Sequence, residues 1–346
     1  MAQASGKTWS SGFTFILAAV GAAVGLGNIW KFPYVVGVSG GGAFVLVYLG
    51  CVLFIAVPIL IAELWIGRAG GHSPPIAMAN VAKQTGLSPG RWSLVGYMAM
   101  MVGYLIATYY SVIAGWTLAY IFKAGSGFGD AEPAAVAAQF DSLLADPLLL
   151  TLWHTIFMAI ALFIVGRGLK EGIEKVVTIL MPALFAMLVL MIGYAAVEGD
   201  FAKGISFLFS TDFSKIDSGT VLVAIGQAFF SISVAMGLLM TYGSYVPKSV
   251  SLTKSALIIA GADTLVALLA GLMIFPLVFG NNLDPGEGPG LIFQTLPAAF
   301  AGMPGGQIFG VVFFVLLAFA AITSIIAIIE PIVRFAEGKW NMKRRK

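Results

Sequence analysis

Eight stretches of this chain are apolar over the roughly 20 residues needed to cross a bilayer. They run at about 12–37, 42–67, 92–122, 147–165, 173–197, 219–245, 252–280 and 306–335. Repetition on that scale excludes a soluble globule. Only 10% of the residues are charged and 59% are hydrophobic, where soluble proteins carry about 25% charged residues. A 346-residue globule has too much surface for its volume to keep so much apolar area from water. The bilayer is therefore the solvent, and the expected fold class is an all-α membrane protein with about eight transmembrane helices. The first run is long, glycine-rich and without a small-residue cleavage pattern, so it reads as a span and not as a cleaved leader.

The few charges orient the chain. With a cytoplasmic N-terminus, the inner segments hold Lys7, Arg68, Lys83, Arg91, Arg167, Lys170, Lys175, Lys248, Lys254, Arg334, Lys339, Lys343, Arg344, Arg345 and Lys346. Only Lys31, Lys123, Lys203 and Lys215 fall outside, beside ten acids. The positive-inside rule then puts both termini in the cytoplasm and the chain in a cell membrane as a multi-pass protein, with 336–346 as a basic tail. The net charge of +3 carries little further meaning, and no nucleic-acid partner is expected. Two isolated histidines (His72 and His154), the single Cys51 and the lack of paired acids on one helical face offer no catalytic constellation. Two connecting segments are longer than simple loops. Residues 123–146 leave room for a short helix, and the LIFQTLPAAF stretch within 281–305 reads as a lid dipping back into the protein. Residues 74–85 fit an amphipathic interfacial helix.

Three acids lie at membrane depth: Glu63, Asp263 and Glu330. Burying an acid there costs at least a few kcal/mol, so each marks either a structural carboxylate that accepts backbone N–H groups or a functional path. Glu63 and Glu330 stay open between those readings. Asp263 lies early in its span with no basic residue near it in sequence, which favours a cation. The first span carries a second anomaly, GAAVGLGNIWKFPY at 21–34. Its glycines and Pro33 weaken a helix, and Asn28, Trp30 and Lys31 follow directly. Close helix packing accounts for small residues; a broken helix accounts for the whole run. The sixth span has a comparable interruption, GQAFFSISVAMGLLM at 226–240, with Gln227, Ser231 and Ser233 ahead of Gly237. Interrupted spans at corresponding positions of two halves point to an inverted-repeat transporter with a site at the midplane. There the broken ends present N–H groups to an anion and carbonyls to a cation.

These runs resemble the neurotransmitter:sodium symporter family over nearly the whole chain. The resemblance is carried by GAAVGLGNIWKFPY and GQAFFSIS, with GGGAF (40–44), ELWIGR (63–68), YYSVIAGW (109–116), GPGLIFQTLP (288–297) and TSIIAIIEP (323–331). It implies a single transporter domain of two inverted repeats with discontinuous helices one and six. The first repeat covers about 12–197, and a partial second covers about 219–335. It implies two sodium sites. One would use Ala23, Asn28, Ser231 and Asp263 with the substrate carboxylate; the other would use Gly21, Val24, Ala320, Thr323 and Ser324. All-oxygen sets of low charge suit a hard alkali cation. The substrate implied is a neutral, hydrophobic or aromatic amino acid. Its carboxylate would meet Gly25, Gly27 and Tyr110, and its ammonium the carbonyls around Phe230, Ser231 and Ser233. Its side chain would sit among Ile106, Phe230, Met236 and Ile328, with Ser324 beside it. Asp263 stands where animal members place a neutral Asn near chloride, so transport independent of chloride is implied. Glu63 would satisfy unwound backbone.

Gating positions follow from the same resemblance: Trp9 as an inner plug, Lys31 and Gln227 on the outer side, and Gly172 to Pro182 as a segment that unwinds inward. Pro182 also reads as an ordinary kink. Departures are equally plain. Lys31 replaces an Arg and loses its bidentate fork. Gly6 stands where a basic inner-gate residue is usual, with Lys7 adjacent, and Glu337 stands near that residue's expected acidic partner. Three helices of the second repeat are present, which leaves open a shortened form that binds an amino acid without transporting it.

Overall fold

The computed structural model describes residues 8–128, 133–286, 288 and 290–344, and among these fourteen main helices follow one another, with a single 3-10 turn at Phe213–Lys215 besides. They are α1 Gly12–Ala23, α2 Gly27–Val38, α3 Gly42–Gly70, α4 Pro74–Gln84, α5 Pro89–Gly125, α6 Pro133–Leu144 and α7 Pro147–Gly166. Then come α8 Leu169–Glu198, α9 Phe201–Phe209, α10 Ser218–Ile232, α11 Leu238–Gly243, α12 Leu252–Gly280, α13 Leu291–Gly302 and α14 Gly306–Trp340. Among the described residues, six helices (α3, α5, α7, α8, α12 and α14) are each long and apolar enough to cross a membrane. α1 and α2, bent by 49°, make a seventh, broken span. α10 and α11 occupy the sixth expected span as two shorter pieces. Lys7, Gly6, Arg345 and Lys346 lie outside the described residues.

Sequence explains the starts and stops. Ser11 caps α1 in a capping box with Thr14, and Asp217 caps α10 in another with Thr220; each side chain takes an N–H that the first turn leaves without a partner. Asp146 accepts from Leu148 and Leu149 at the head of α7. α1 is apolar on all sides and accordingly sits in the centre, packed on α8, α11, α12 and α14. α14 is the central post: its apolar stretch is 83% buried, against 22% for α7, which stands at the rim and faces lipid. The expected short helix in 123–146 is α6, the segment expected at the interface is helix α4, and the stretch expected as a lid is helix α13, held by Tyr120 donating to the Phe293 carbonyl at 2.8 Å. α9, in the segment between α8 and α10, has no counterpart in the sequence reading.

Two expectations change. The interruption of the sixth span is narrower than 226–240: α10 runs unbroken through Gln227 and Ser231, and the break is 233–237. Three residues in it take left-handed backbone, Ser233 (φ 61°), Ala235 (φ 64°) and Gly237 (φ 74°). Residues 336–346 are not simply a tail, because α14 continues to Trp340. Asn341 (φ 52°) then reverses the chain, and the left-handed conformation is one that Asn tolerates.

Candidate functional site

The two breaks face each other. α1 ends at Ala23, Val24 is extended (ψ 109°), and α2 restarts at Gly27. Between them the backbone loses its helical partners and takes side-chain ones. Gly25 N–H donates to Asn28 Oδ1 at 3.0 Å, and Leu26 N–H donates to the Tyr110 hydroxyl at 3.3 Å. At the second break Ala235 N–H donates to Glu63 Oε1 at 2.7 Å. Glu63 therefore meets unwound backbone. The elements flanking the breaks are also tied to one another, since Gln227 Nε2 on α10 donates to the Gly27 carbonyl at 3.1 Å and Ser233 Oγ approaches the Ala22 carbonyl of α1 at 3.5 Å.

Around this junction lies a narrow cavity of about 20 Å³, walled in part by Ala23, Gly25, Gly27, Ile106 and Tyr110. Phe230, Ser233, Met236, Ser324 and Ile328 complete the wall. Every residue expected to touch substrate is here except Ser231, which lies just behind. No charged residue lines it. The two glycines are required by space: a Cβ on Gly25 would stand 2.5 Å from Ser324 Oγ, and one on Gly27 would stand 3.0 Å from the Phe230 ring.

Behind the cavity, Asn28, Ser231 and Asp263 form a buried polar cluster. Asn28 Nδ2 donates to Asp263 Oδ1 at 2.7 Å and to Ser231 Oγ at 3.0 Å; Ser231 Oγ donates to Asp263 Oδ2 at 2.6 Å. Tyr48 adds its hydroxyl to Ser231 at 3.2 Å, a member the sequence reading missed. Ala23 lines the cavity a step away. On the other flank, Ser324 Oγ lies 3.2 Å from the Val24 carbonyl and 3.5 Å from that of Gly21, and Thr323 Oγ1 lies 3.0 Å from the Ala320 carbonyl. Ser324 thus reaches the Gly21 and Val24 carbonyls across the α1–α14 contact, with Thr323 beside Gly21 and bonded to the Ala320 carbonyl one turn back. Among the described residues no three His, Cys, Asp or Glu side chains gather, so neither set resembles a transition-metal site.

A family model described as the sodium:neurotransmitter symporter family matches residues 6–127 and 141–346. The chain belongs to that family. It is 37% identical to an uncharacterized sodium-dependent transporter of Bacillus subtilis, covering 100% of this chain and 76% of the relative. It is 35% identical to an uncharacterized sodium-dependent transporter of Haemophilus influenzae, covering 98% and 76%. The crystal structure of MhsT in complex with L-phenylalanine superposes with a TM-score of 0.90 at 42% identity, covering 99% of this chain and 77% of that one. The fold is thus the one expected, an all-helical transporter with broken helices, and the protein is a sodium-dependent, multi-pass membrane transporter.

In this symporter the positions expected to gate lie at the two ends of the molecule. At one end, Lys31 Nζ stands 4.2 Å from the centre of the Phe230 ring; this is a cation–π contact, and among the described residues no acid lies within ion-pair distance of it. At the other end, Trp9 is 2% exposed and its Nε1 donates to the Tyr242 carbonyl at 3.1 Å. The Gly172–Pro182 segment is wound: residues Leu169–Glu174 form a π-helical turn, and α-helix continues through Pro182. Glu174 holds that turn to the N-terminus, accepting from Ser10 N and Ser10 Oγ at 2.7 Å each. Glu337 lies near the end of α14. It accepts from Arg344 Nε at 2.9 Å and lies 3.6 Å from Arg334, because the chain beyond α14 folds back over it.

Proposed function

We propose that this symporter couples sodium entry to uptake of a neutral hydrophobic or aromatic amino acid by alternating access, without chloride. The observation that carries the reading is the uncharged cavity placed between two helix breaks with the buried polar cluster of Asn28, Ser231 and Asp263 directly behind it. The cavity wall is Ile106, Phe230, Met236 and Ile328, which favours an uncharged side chain. Met236 adapts to bulky groups. The amino-acid carboxylate meets the N–H groups at Gly25 to Gly27 and the Tyr110 hydroxyl, where half-helix ends favour an anion. The ammonium meets carbonyls around Phe230, Ser231 and Ser233.

Two sodium ions fit the two donor sets. The first takes the Ala23 carbonyl, Ser231, Asp263 and the substrate carboxylate, together with Asn28 after its amide turns over to offer Oδ1 in place of Nδ2. Asp263 carries a fixed negative charge at this point, so no separate anion is needed to balance the ion. The second takes Gly21, Val24, Ala320, Thr323 and Ser324. α1 with α2, and α10 with α11, then rock against a scaffold of α5, α7 and α14. The L-phenylalanine held by MhsT agrees with this substrate class.

The test is uptake of labelled phenylalanine and leucine into proteoliposomes. An inward sodium gradient should drive accumulation that a potassium gradient does not, and replacing chloride with gluconate should leave the rate unchanged. Binding without accumulation would reduce the reading to an amino-acid receptor, and strong chloride dependence would remove the role given to Asp263.

A further inference from the structure

Acids are missing from a long stretch of this chain. Between Glu63 and Asp130 there is no Asp or Glu, and that stretch holds the end of α3 and all of α4 and α5. α4 starts close against both neighbours because glycines make room for it. A Cβ at Gly70 of α3 would run into Ala77, and one at Gly96 of α5 would stand 2.5 Å from Pro75. Farther along α4 a groove of about 510 Å³ opens between the three helices. Its walls are Pro58, Ala62 and Trp65 of α3, Val81 and Thr85 of α4, and Trp92 of α5. The groove is apolar almost throughout. The Thr85 hydroxyl is turned back onto the Val81 and Ala82 carbonyls at 3.1 and 3.2 Å.

Charge gathers where the apolar walls end. Lys83 follows Ala82 and Arg91 precedes Trp92, both of which line the groove, and the two cations are exposed. Among the described residues neither side chain has a hydrogen-bond or ion-pair partner, whereas Arg68 donates to the Val250 carbonyl. α5 also begins here. Ser88 makes no capping bond through its side chain, so the first-turn N–H groups stay open to an anion. Trp65 and Trp92 are both exposed, and tryptophan favours the boundary between hydrocarbon and water. A fitting ligand is apolar along its length and anionic at one end. A peptide would bring backbone N–H and C=O groups against walls that cannot pair them, and a soluble anion would leave those walls uncovered. We infer that the groove seats an acyl chain of an anionic phospholipid, its phosphate met by Lys83, Arg91 and the first turn of α5. The lipid then lies against the helix that backs the second break, since Met78 packs on Met240 and Pro74 fills the space beside Gly237. Nothing in the inference depends on the proposed function, because binding is read without sodium, substrate or transport.

The test titrates purified protein in detergent with phosphatidylglycerol carrying brominated acyl chains, which quench the fluorescence of an indole they touch. Brominated phosphatidylcholine is the comparison without net charge. The parent should show a saturable quenching step whose midpoint lies at a lipid fraction about tenfold lower for phosphatidylglycerol, as two basic residues beside an anionic headgroup would give. Lys83→Gln/Arg91→Gln should keep the step and lose the preference. Ala62→Phe, which fills the groove from an exposed position, should abolish the step with both lipids. Trp65→Phe/Trp92→Phe should abolish its signal, and Lys254→Gln, an exposed cation elsewhere, should match the parent. Equal midpoints for the two lipids in the parent overturn the inference. So does a step that survives in Ala62→Phe or in Trp65→Phe/Trp92→Phe, and so does a preference kept by Lys83→Gln/Arg91→Gln. Should Ala62→Phe not yield a folded monodisperse protein, Thr85→Phe on the facing wall takes its place with the same expectations. A parent that is dimeric by light scattering, with a monomeric Ala62→Phe that still shows the step, gives the groove to a second copy and also overturns the inference.

Discussion

Asp263 is wholly buried, and both of its oxygens are held, by Asn28 and by Ser231. In an apolar setting a carboxylate so placed is tolerable with neutral donors and strongly favoured with a cation. A unit charge about 4 Å from a cation is worth about 4 kcal/mol at an effective dielectric near 20; losing a third of that weakens binding about tenfold. Asp263→Asn keeps the shape and removes the charge. It is expected to raise the sodium concentration for half-maximal amino-acid binding about tenfold or more, with chloride restoring part of the loss. An unchanged sodium dependence would remove Asp263 from the site. Glu63 serves a different need, since it answers one backbone N–H. Glu63→Ala leaves the Ala235 N–H buried without an acceptor, a loss of about 1–3 kcal/mol that thermal unfolding in detergent should register; Glu63→Gln, which retains an acceptor, should cost less. Both acids were legible in the sequence because an acid at membrane depth is an anomaly. Tyr48 was not, because a tyrosine in an apolar run breaks no rule. Its hydroxyl matters only once α3 packs against α10 and places it on Ser231.

The first helix break announced itself through Gly25, Gly27 and Asn28. The second was legible in existence and blurred in position, since Ser233 and Ala235 are ordinary residues with no visible preference for left-handed backbone. That conformation costs an L-residue about 1–2 kcal/mol, and it is held here by tertiary partners such as Glu63. α8 shows the converse. Gly172 and Pro182 both weaken a helix, yet the segment is wound, with Gly172 and Ile173 N–H both on the Gly168 carbonyl at 3.1 Å. A Cβ at Gly172 would run into the Ile164 carbonyl, so the turn needs glycine there. Winding also depends on Glu174, whose two bonds to Ser10 join α8 to the N-terminal plug. Hydrogen bonds to a charged acceptor are worth about 1.5–3 kcal/mol each. Glu174→Ala should therefore speed hydrogen exchange across residues 168–182 about tenfold or more while leaving α5 and α12 unchanged. Equal exchange in the variant and parent would mean that the segment is wound by its own turn and not by its tie to Ser10.

Across the whole molecule, the hydrogen bonds sort the helix ends into two groups. One end gathers the start of α1, the ends of α3 and α7, the starts of α8 and α12, and the end of α14. Its links are Trp9 with Tyr242, Arg68 with the Val250 carbonyl at 2.7 Å, Ser10 with Glu174, and Arg344 with Val165. The other end gathers the start of α3, the ends of α5 and α8, and the start of α14. There Gly41 bridges to Thr211, Tyr194 donates to the Pro304 carbonyl at 3.1 Å, and Gln307 donates to the Gly125 carbonyl at 2.6 Å. This is the alternation that eight crossings require, and the sequence foresaw it from hydropathy alone. Its sign comes from charge. Arg68, Arg167, Lys175, Lys254, Arg334 and Arg344 belong to the first end, whereas the second has Lys203 and Lys215 among Glu198, Asp200, Asp212 and Asp217. Basic residues close to span ends stay in the cytoplasm, which supports the proposal that the first end, with Trp9 and Arg344, faces inward and α13 faces out. Single cysteines at Lys215 and Lys254, in a Cys51→Ala background, measure this directly. In intact cells a membrane-impermeant maleimide should label Lys215→Cys and spare Lys254→Cys, with Lys254→Cys reacting once the cells are permeabilised. The opposite pattern would invert the molecule in the membrane. It would also make the closed face with Trp9 the outer one, and a sodium gradient directed into the cell would then meet the plug before the site.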